Sequence, residues 1–296
     1  MLGPLVFVCA ASPVQAAAVD PIVVPNSTNP VQFRLYLNGS PSATHLFNTF
    51  DVEAYGELLL RSPEAASLRR LTSPSSAALH NFLVDGEGPS LDPTNSMSIV
   101  ERASGPDWSY VAVDATAAYR GRLKQYRRGI LFVEPDLFVL HEHFIAEKPS
   151  KFLMTLHPSA ATQLDPVWGD LRLESTNGGV RIHAPGQKKD PRFWTRMESS
   201  PLLPGTAAFQ LGPTNKLAVL DLLTVFAIHK KGQTQELAFK LLQSNTAVGA
   251  RIHREGMPTL VAFRNAPAES KPSLAGFAFD GPVGVDVFKP KRNLAK

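Results

Sequence analysis

Residues 77–90 read AALHNFLVDGEGPS, with His80 and Asn81 at the head of an apolar run that ends in Asp85-Gly86, a strong turn signal. Acid–base chemistry, metal binding and plain structural satisfaction are all open to such a pair. In the last reading, Asn81 caps a turn and His80 bonds a backbone carbonyl. Tyr119 is followed by RGRLKQYRR, whose Arg127 and Arg128 can grip a carboxylate bidentately. The bland alternative is a solvated basic edge that deters strand-to-strand aggregation. His141-Glu142-His143 looks like a metal tripeptide. In a strand, however, His141 and His143 share one face and Glu142 the other, which gives two ligands and no third, so ordinary sheet-surface polarity is expected. His157, His183, His229 and His253 stand at strand ends or before turns and read as structural. Trp168 and Trp194 can stack on sugar rings or simply fill a core.

The elements that must position these residues are strands. VQFRLYLNG sets Phe33, Leu35 and Leu37 against Arg34 and Tyr36, and TFDVEAYGELLL alternates before turning at Tyr55-Gly56. ILFVEPDLFVLHEHF reads as a hairpin about Glu134-Pro135-Asp136. KFLMTLHP, GDLRLES, GGVRIHAPG, KLAVLDLLTVFAIHKKG, AVGARIHREG and TLVAFRNAP continue the pattern. Few short helices are expected, near Glu64–Leu71 and Thr234–Leu242. The fold class is therefore all-β: a large antiparallel β-sandwich of two layered sheets.

The 296 residues are 44% hydrophobic and 19% charged, which excludes wholesale disorder. A net charge of +4 makes the surface mildly basic, but the cations are scattered, so nucleic acid is not an expected partner and an acidic polysaccharide suits at least as well. The opening MLGPLVFVCAASPVQAAAVDP holds a short apolar stretch and then small residues, and 1–18 reads as a signal peptide for a periplasmic or secreted protein, with the sandwich over 19–296. That stretch is too short to span a bilayer, and no later one is long and apolar enough. Cys9, the one cysteine, lies inside the leader, so thiol catalysis, disulfides and iron–sulfur clusters drop out of the mature protein. No nucleophile elbow, P-loop, dinucleotide fingerprint or His-Glu-x-x-His is present.

The order of segments resembles the C-terminal β-sandwich of the heparinase II/III polysaccharide lyases. THLFNTFDVEAYGELLL stands where that family has an NSF-like strand, ALHNFLVDGEGP where it has its HN strand, and Tyr119 through Asp136 where it has a Tyr, an Arg and a Pro-Asp hairpin. The resemblance, over about residues 31–265, implies β-elimination on uronic-acid polysaccharide, with His80, Asn81 and Tyr119 catalytic and Arg127 and Arg128 binding substrate. It further implies that His80 and Asn81 face a cleft with Tyr119 and Arg127 near them. In zinc-bearing members the resemblance implies metal at His45 and His80, but Arg61 occupies the position of the third ligand, an Asp, so no cofactor is expected. That family sets an α/α-toroid before the sandwich, and strand-like sequence here begins too early to leave room for one. Two functions stand open. One is a lyase or lyase-derived domain, acting alone or with a toroid carried on a separate chain, and the other is a non-catalytic sandwich that binds acidic polysaccharide.

Overall fold

The computed structural model describes residues 22–25, 28–36, 49–60, 81–89, 97–119, 121–159, 161–165, 170–184, 190, 192–199, 207–233, 237–254, 257–265 and 271–287. Most of them form strands, and the helical content among them is one 3-10 turn, Thr116–Tyr119. A meander of β1 (Ile22–Val24), β2 (Val31–Tyr36), β3 (Thr49–Ala54) and β4 (Glu57–Leu60) makes the first sheet. The second runs in the order β14 (Phe193–Ser199), β15 (Ala207–Pro213), β10 (Phe152–Leu156) and β5 (Asn81–Val84). The largest has eight strands, beginning with β11 (Ala161–Asp165), β12 (Asp170–Glu174), β13 (Gly178–His183) and β16 (Leu217–Lys230). It continues through β9 (Leu137–Ser150), β8 (Leu123–Val133), β7 (Trp108–Asp114) and β6 (Ser98–Gly105). A fourth sheet orders β17 (Leu237–Gln243), β18 (Ala247–Arg254), β19 (Met257–Arg264) and β22 (Val283–Val287), and β20 (Ser273–Leu274) pairs with β21 (Phe277–Ala278).

The all-β sandwich expected from the sequence is the fold observed, with more layers than two. Both faces of the eight-stranded sheet are covered. Ile130, Phe132, Phe138 and Phe226 pack against the first two sheets, where Phe33 stacks on Phe50 at 4.5 Å between ring centroids. Leu131, Val133, Val139 and Val225 point the other way, onto the fourth sheet through Ala250, Ile252, Val261 and Phe263. A strand buried on both faces gains from an unbroken apolar run, which is why ILFV, LFVL and LLTVFAI lack the polar alternation of a half-exposed strand. The fourth sheet has a smaller cluster on its outer side, with Ala247, Leu260 and Ala262 under Leu274 and Phe279.

Turn chemistry fixes the registers. Tyr55-Gly56 and Asp85-Gly86 each place two successive residues at positive φ (52° and 81°; 53° and 86°), the conformation of the tight hairpin turn that matches strand twist. After β5, Val84 and Glu87 exchange backbone hydrogen bonds of 2.8 and 3.1 Å. Glu134-Pro135-Asp136 joins β8 to β9, as its sequence implies. Buried Arg254 of β18 ties that turn to the fourth sheet by pairing with Asp136 and donating to the Glu134 carbonyl. The helix expected over Thr234–Leu242 is instead β17 from Leu237. Its Leu237, Phe239 and Leu241 face the core while Ala238 and Lys240 are exposed, and burying that period-two stripe on a sheet outweighs helical propensity. The helix expected near Glu64–Leu71 lies outside the described residues.

Candidate functional site

His45, Arg61, His80 and Trp168 lie outside the described residues. Asn81 opens β5, where its backbone pairs with Thr155 of β10, and Phe82 beside it is buried in the core. The following VDGEG turn is held from three sides. The Asp85 carboxylate accepts the Lys151 backbone N–H at 3.0 Å. Arg122 pairs with Glu87 and donates to the Gly88 carbonyl at 2.6 Å and to the Tyr119 carbonyl at 3.1 Å. Within RGRLKQYRR nothing in the sequence sets Arg122 apart from its neighbours, yet it fastens the start of β8 to this turn.

The resemblance set Tyr119 beside the His-Asn strand, and its hydroxyl does donate to the Phe82 carbonyl at 3.0 Å. Its ring is wholly buried, edge-on to Tyr126 at 5.3 Å. The tyrosine thus anchors β5 to the 3-10 turn from inside the core.

Arg127 and Arg128 stand in different surroundings, and only for Arg128 does the structure correct the reading of a carboxylate grip. They are neither a solvated edge nor a joint carboxylate grip, because consecutive residues of a strand face opposite ways. Arg128 is 0% exposed, its guanidinium 2.7–2.8 Å from Glu142, which is equally buried. It lies over the rings of Phe50 and Tyr126. Burial pushes the Glu142 carboxyl up against the opposing pull of Arg128. A guanidinium so committed is not available to substrate. Arg127 points to the other side of the eight-stranded sheet, away from Tyr119 and β5, so the expected cluster of Arg127 with the His-Asn strand does not form. It pairs with Glu101 and reaches the Tyr110 hydroxyl at 3.2 Å. The signal was present in the sequence: folding the hairpin about Glu134-Pro135-Asp136 brings Arg128 opposite Glu142 and Arg127 opposite His143.

What the structure does assemble lies on the Arg127 side. His141 and His143 share a face of β9, as the strand geometry required, and Glu142 faces away. The missing third group is Asp221 of β16, the register partner of His143. Its Oδ1 is 3.0 Å from His141 Nε2 and 2.8 Å from His143 Nδ1. The sheet-surface reading fails here, because His141 is nearly enclosed and packs on Phe263 with centroids 4.7 Å apart. Burial pushes the His141 imidazole down. The two imidazoles hold the Asp221 carboxyl well below the usual carboxylate range, overcoming its own burial. Both ring nitrogens aim at one carboxylate oxygen, and among the described residues no group of three or more metal-binding side chains is placed to hold a metal ion.

This trio lines a cleft of about 760 Å³ whose walls also carry Gln125, Arg127, Asn245 and Arg264. Arg264 approaches the same Glu101 carboxylate that Arg127 holds, at 3.6 Å. A second cleft of about 440 Å³ adjoins it and shares Val219, Asp221 and Gln243. Both open where β16 shifts register between Leu217 and Val219, and a bulge at a sheet rim spreads the strands and re-aims their side chains. Trp194 lies elsewhere, on β14, half-buried beneath the Arg196 guanidinium at 4.8 Å. His183 and His229 pair with Asp170 and Glu174, as structural histidines do.

An all-β sandwich with a polar, His- and Arg-lined rim cleft is the class that these observations define. No family model and no curated protein matches the sequence. Solved structures do match in fold. A mutant heparan sulfate lyase HepC from Pedobacter heparinus aligns with a TM-score of 0.65 at 11% identity, covering 85% of this chain and 42% of that one. A heparinase III aligns at 0.60 and 13% identity, covering 82% and 41%. The heparinase III BT4657 gene product aligns at 0.61 and 9%, covering 79% and 39%. At such identities the likeness is one of fold, and the chain spans about two-fifths of the length of these enzymes.

Proposed function

We propose that this chain is the β-sandwich part of a lyase acting on uronic-acid polysaccharide, and that it binds the polymer without completing elimination by itself. The fold match to heparan sulfate lyases over 85% of the chain is the observation that carries this reading. Elimination needs a base at the proton α to the uronate carboxylate, a cation or donor to neutralise that carboxylate, and an acid for the departing glycosidic oxygen. Of the residues that the resemblance assigned to these tasks, Tyr119 is enclosed and Arg128 is spent on Glu142. The same burial favours a second reading, a sandwich that only binds acidic polysaccharide. A helical toroid, on this polypeptide or another, would supply the missing groups. Export, inferred from the leader-like first residues, would bring the protein to such polymers.

The test incubates the purified chain with heparan sulfate, a non-sulfated polyuronate and a neutral glucan, following both binding and the ultraviolet absorbance of unsaturated uronate. Binding of the acidic polymers with no rise in absorbance is expected. Turnover at rates of order 1 per second or more would establish a complete lyase in this chain and overturn the incomplete reading. Equal affinity for the neutral glucan would overturn the polyuronate reading altogether.

A further inference from the structure

We propose that one corner of the sandwich, where the turn after β5 meets the start of β8, the end of β9 and the start of β16, is a docking surface for an acidic polysaccharide, held by the ammonium groups of Lys148, Lys151 and Lys216. The choice of polymer rests on the function proposed above, whereas the excess of positive charge follows from the fold alone.

Backbone pairing brings distant stretches of chain together here. The Asp85 N–H donates to the Lys151 carbonyl at 2.8 Å, and the Lys151 N–H donates back to the Asp85 carboxylate at 3.0 Å. Ser150, the last residue of β9, is the register partner of Leu217, which sets Lys216 beside the same corner. The Glu147 N–H donates to the Arg122 carbonyl at 3.0 Å and closes the corner against β8. Cations that lie scattered along the sequence are thus gathered by the fold. Arg122, Lys124, Lys148, Lys151 and Lys216 stand against Asp85, Glu87 and Glu147, so positive charge is in excess. Arg122 is spent on Glu87 and two carbonyls, and Lys124 lies 3.9 Å from Glu147. The other three lysines are exposed, and among the described residues none has a carboxylate within ion-pair distance. Of the carboxylates at this corner Asp85 alone remains for them, and it already accepts the Lys151 N–H. That N–H chiefly, with the charges of Lys216 and Lys148 adding to it, holds the Asp85 carboxyl below its ordinary value, which marks both ammonium groups as neighbours of the turn.

An ammonium group is a compact, hydrated point charge with no fork to fit a single anion. Several of them in excess attract a polyanion through their summed field rather than through one pocket. The corner also lies on the border of the second sheet, because β5 is its edge strand. Asn81 stands at the other end of that strand, about 13 Å away at 3.3 Å per residue, so a polymer lying along the border reaches both. Nucleic acid suits the corner less well. Binding of single strands leans on aromatic platforms for the bases, and Tyr119 and Phe152, the aromatic residues next to these stretches in the chain, are buried.

The experiment is calorimetric titration of the full chain with a heparan sulfate octasaccharide and with a single-stranded deoxyoligonucleotide, at about 50 mM and about 200 mM salt. The wild type is expected to bind the octasaccharide and to lose roughly tenfold or more in affinity across that range. Lys148→Gln/Lys151→Gln/Lys216→Gln should melt at the wild-type temperature, since exposed lysines without ion-pair partners support no packing. At the lower salt it should bind roughly tenfold more weakly, with a shallower dependence on salt. Asp85→Asn keeps an oxygen for the Lys151 N–H and tolerates the φ of 53° at this position, so it should fold and bind severalfold more tightly. Octasaccharide affinity unchanged in the triple variant would remove the docking surface and leave the polysaccharide reading standing. No binding of the octasaccharide by the wild type would overturn both. A deoxyoligonucleotide bound as tightly as the octasaccharide, and lost in the triple variant, would overturn the polysaccharide as the partner of this surface.

Discussion

Glu142 divides two histidines of one strand, and the three side chains meet opposite worlds. On its side of the sheet the Arg128–Glu142 pair is sealed in the core, and such pairs are strongly coupled to their removal. Arg128→Met alone should lower stability by about 3–5 kcal/mol, because it strands a buried carboxylate. The double variant Arg128→Met/Glu142→Leu should recover most of that loss, and denaturant titrations of the three proteins check it. On the other side, acid should weaken the fold in two steps. Burial depresses the folded His141, so between its folded and unfolded pKa values the unfolded chain binds the extra proton, and stability begins to fall as pH drops below about 6.5. Asp221 is depressed as well. Its contribution is whole above about pH 3.9 and is lost as pH falls further towards its folded value. Melting temperatures between about pH 8 and about pH 3 should therefore show two declines. His141→Gln should remove the upper one and Asp221→Asn the lower.

At the scale of elements, two glycines separate conformational need from crowding. Gly86 has φ of 86° and nothing within 4 Å of a built Cβ, so Gly86→Ala should cost about 1 kcal/mol through backbone strain alone. A Cβ on Gly249 would meet the Val261 carbonyl oxygen at 2.1 Å and the Leu274 side chain at 2.5 Å. Gly249→Ala should then cost about 3 kcal/mol or more, since sheet and overlying hairpin must part. Thermal melts of the two variants rank them. Elements of the first kind were legible in the sequence: Tyr55-Gly56, Asp85-Gly86 and the hairpin at Pro135 all follow from residue type and alternation. The rim cleft was not. Asp221 joins His141 across 80 residues of chain and sits inside the run KLAVLDLLTVFAIHK, where one acid in an apolar strand gave no sign of its partners. Arg128 escaped for a different reason. An RR pair looks wet until the strand that carries it is known to be central, and centrality is a property of the sheet rather than of the segment.

Across the whole molecule, burial is concentrated in β8, β9 and β16, which have packed layers on both sides. Their amides should be the last to exchange with deuterated solvent, and those of the edge strand β6, where Ile99 and Val100 remain exposed, should be among the first. The two covers of the central sheet also come from different parts of the chain. Among the described residues, those up to β15 supply one, whereas Leu237–Val287 supply the other. On the ribosome, the stripe of Leu131, Val133, Val139, Leu223 and Val225 is complete before its cover has been synthesised. For that interval the nascent protein presents a sticky apolar surface that only a chaperone or the emerging fourth sheet can shield. A polypeptide halted after β16 should therefore be recovered from cells as insoluble aggregate, and co-expression of the remaining segment as a separate fragment should return part of it to the soluble fraction.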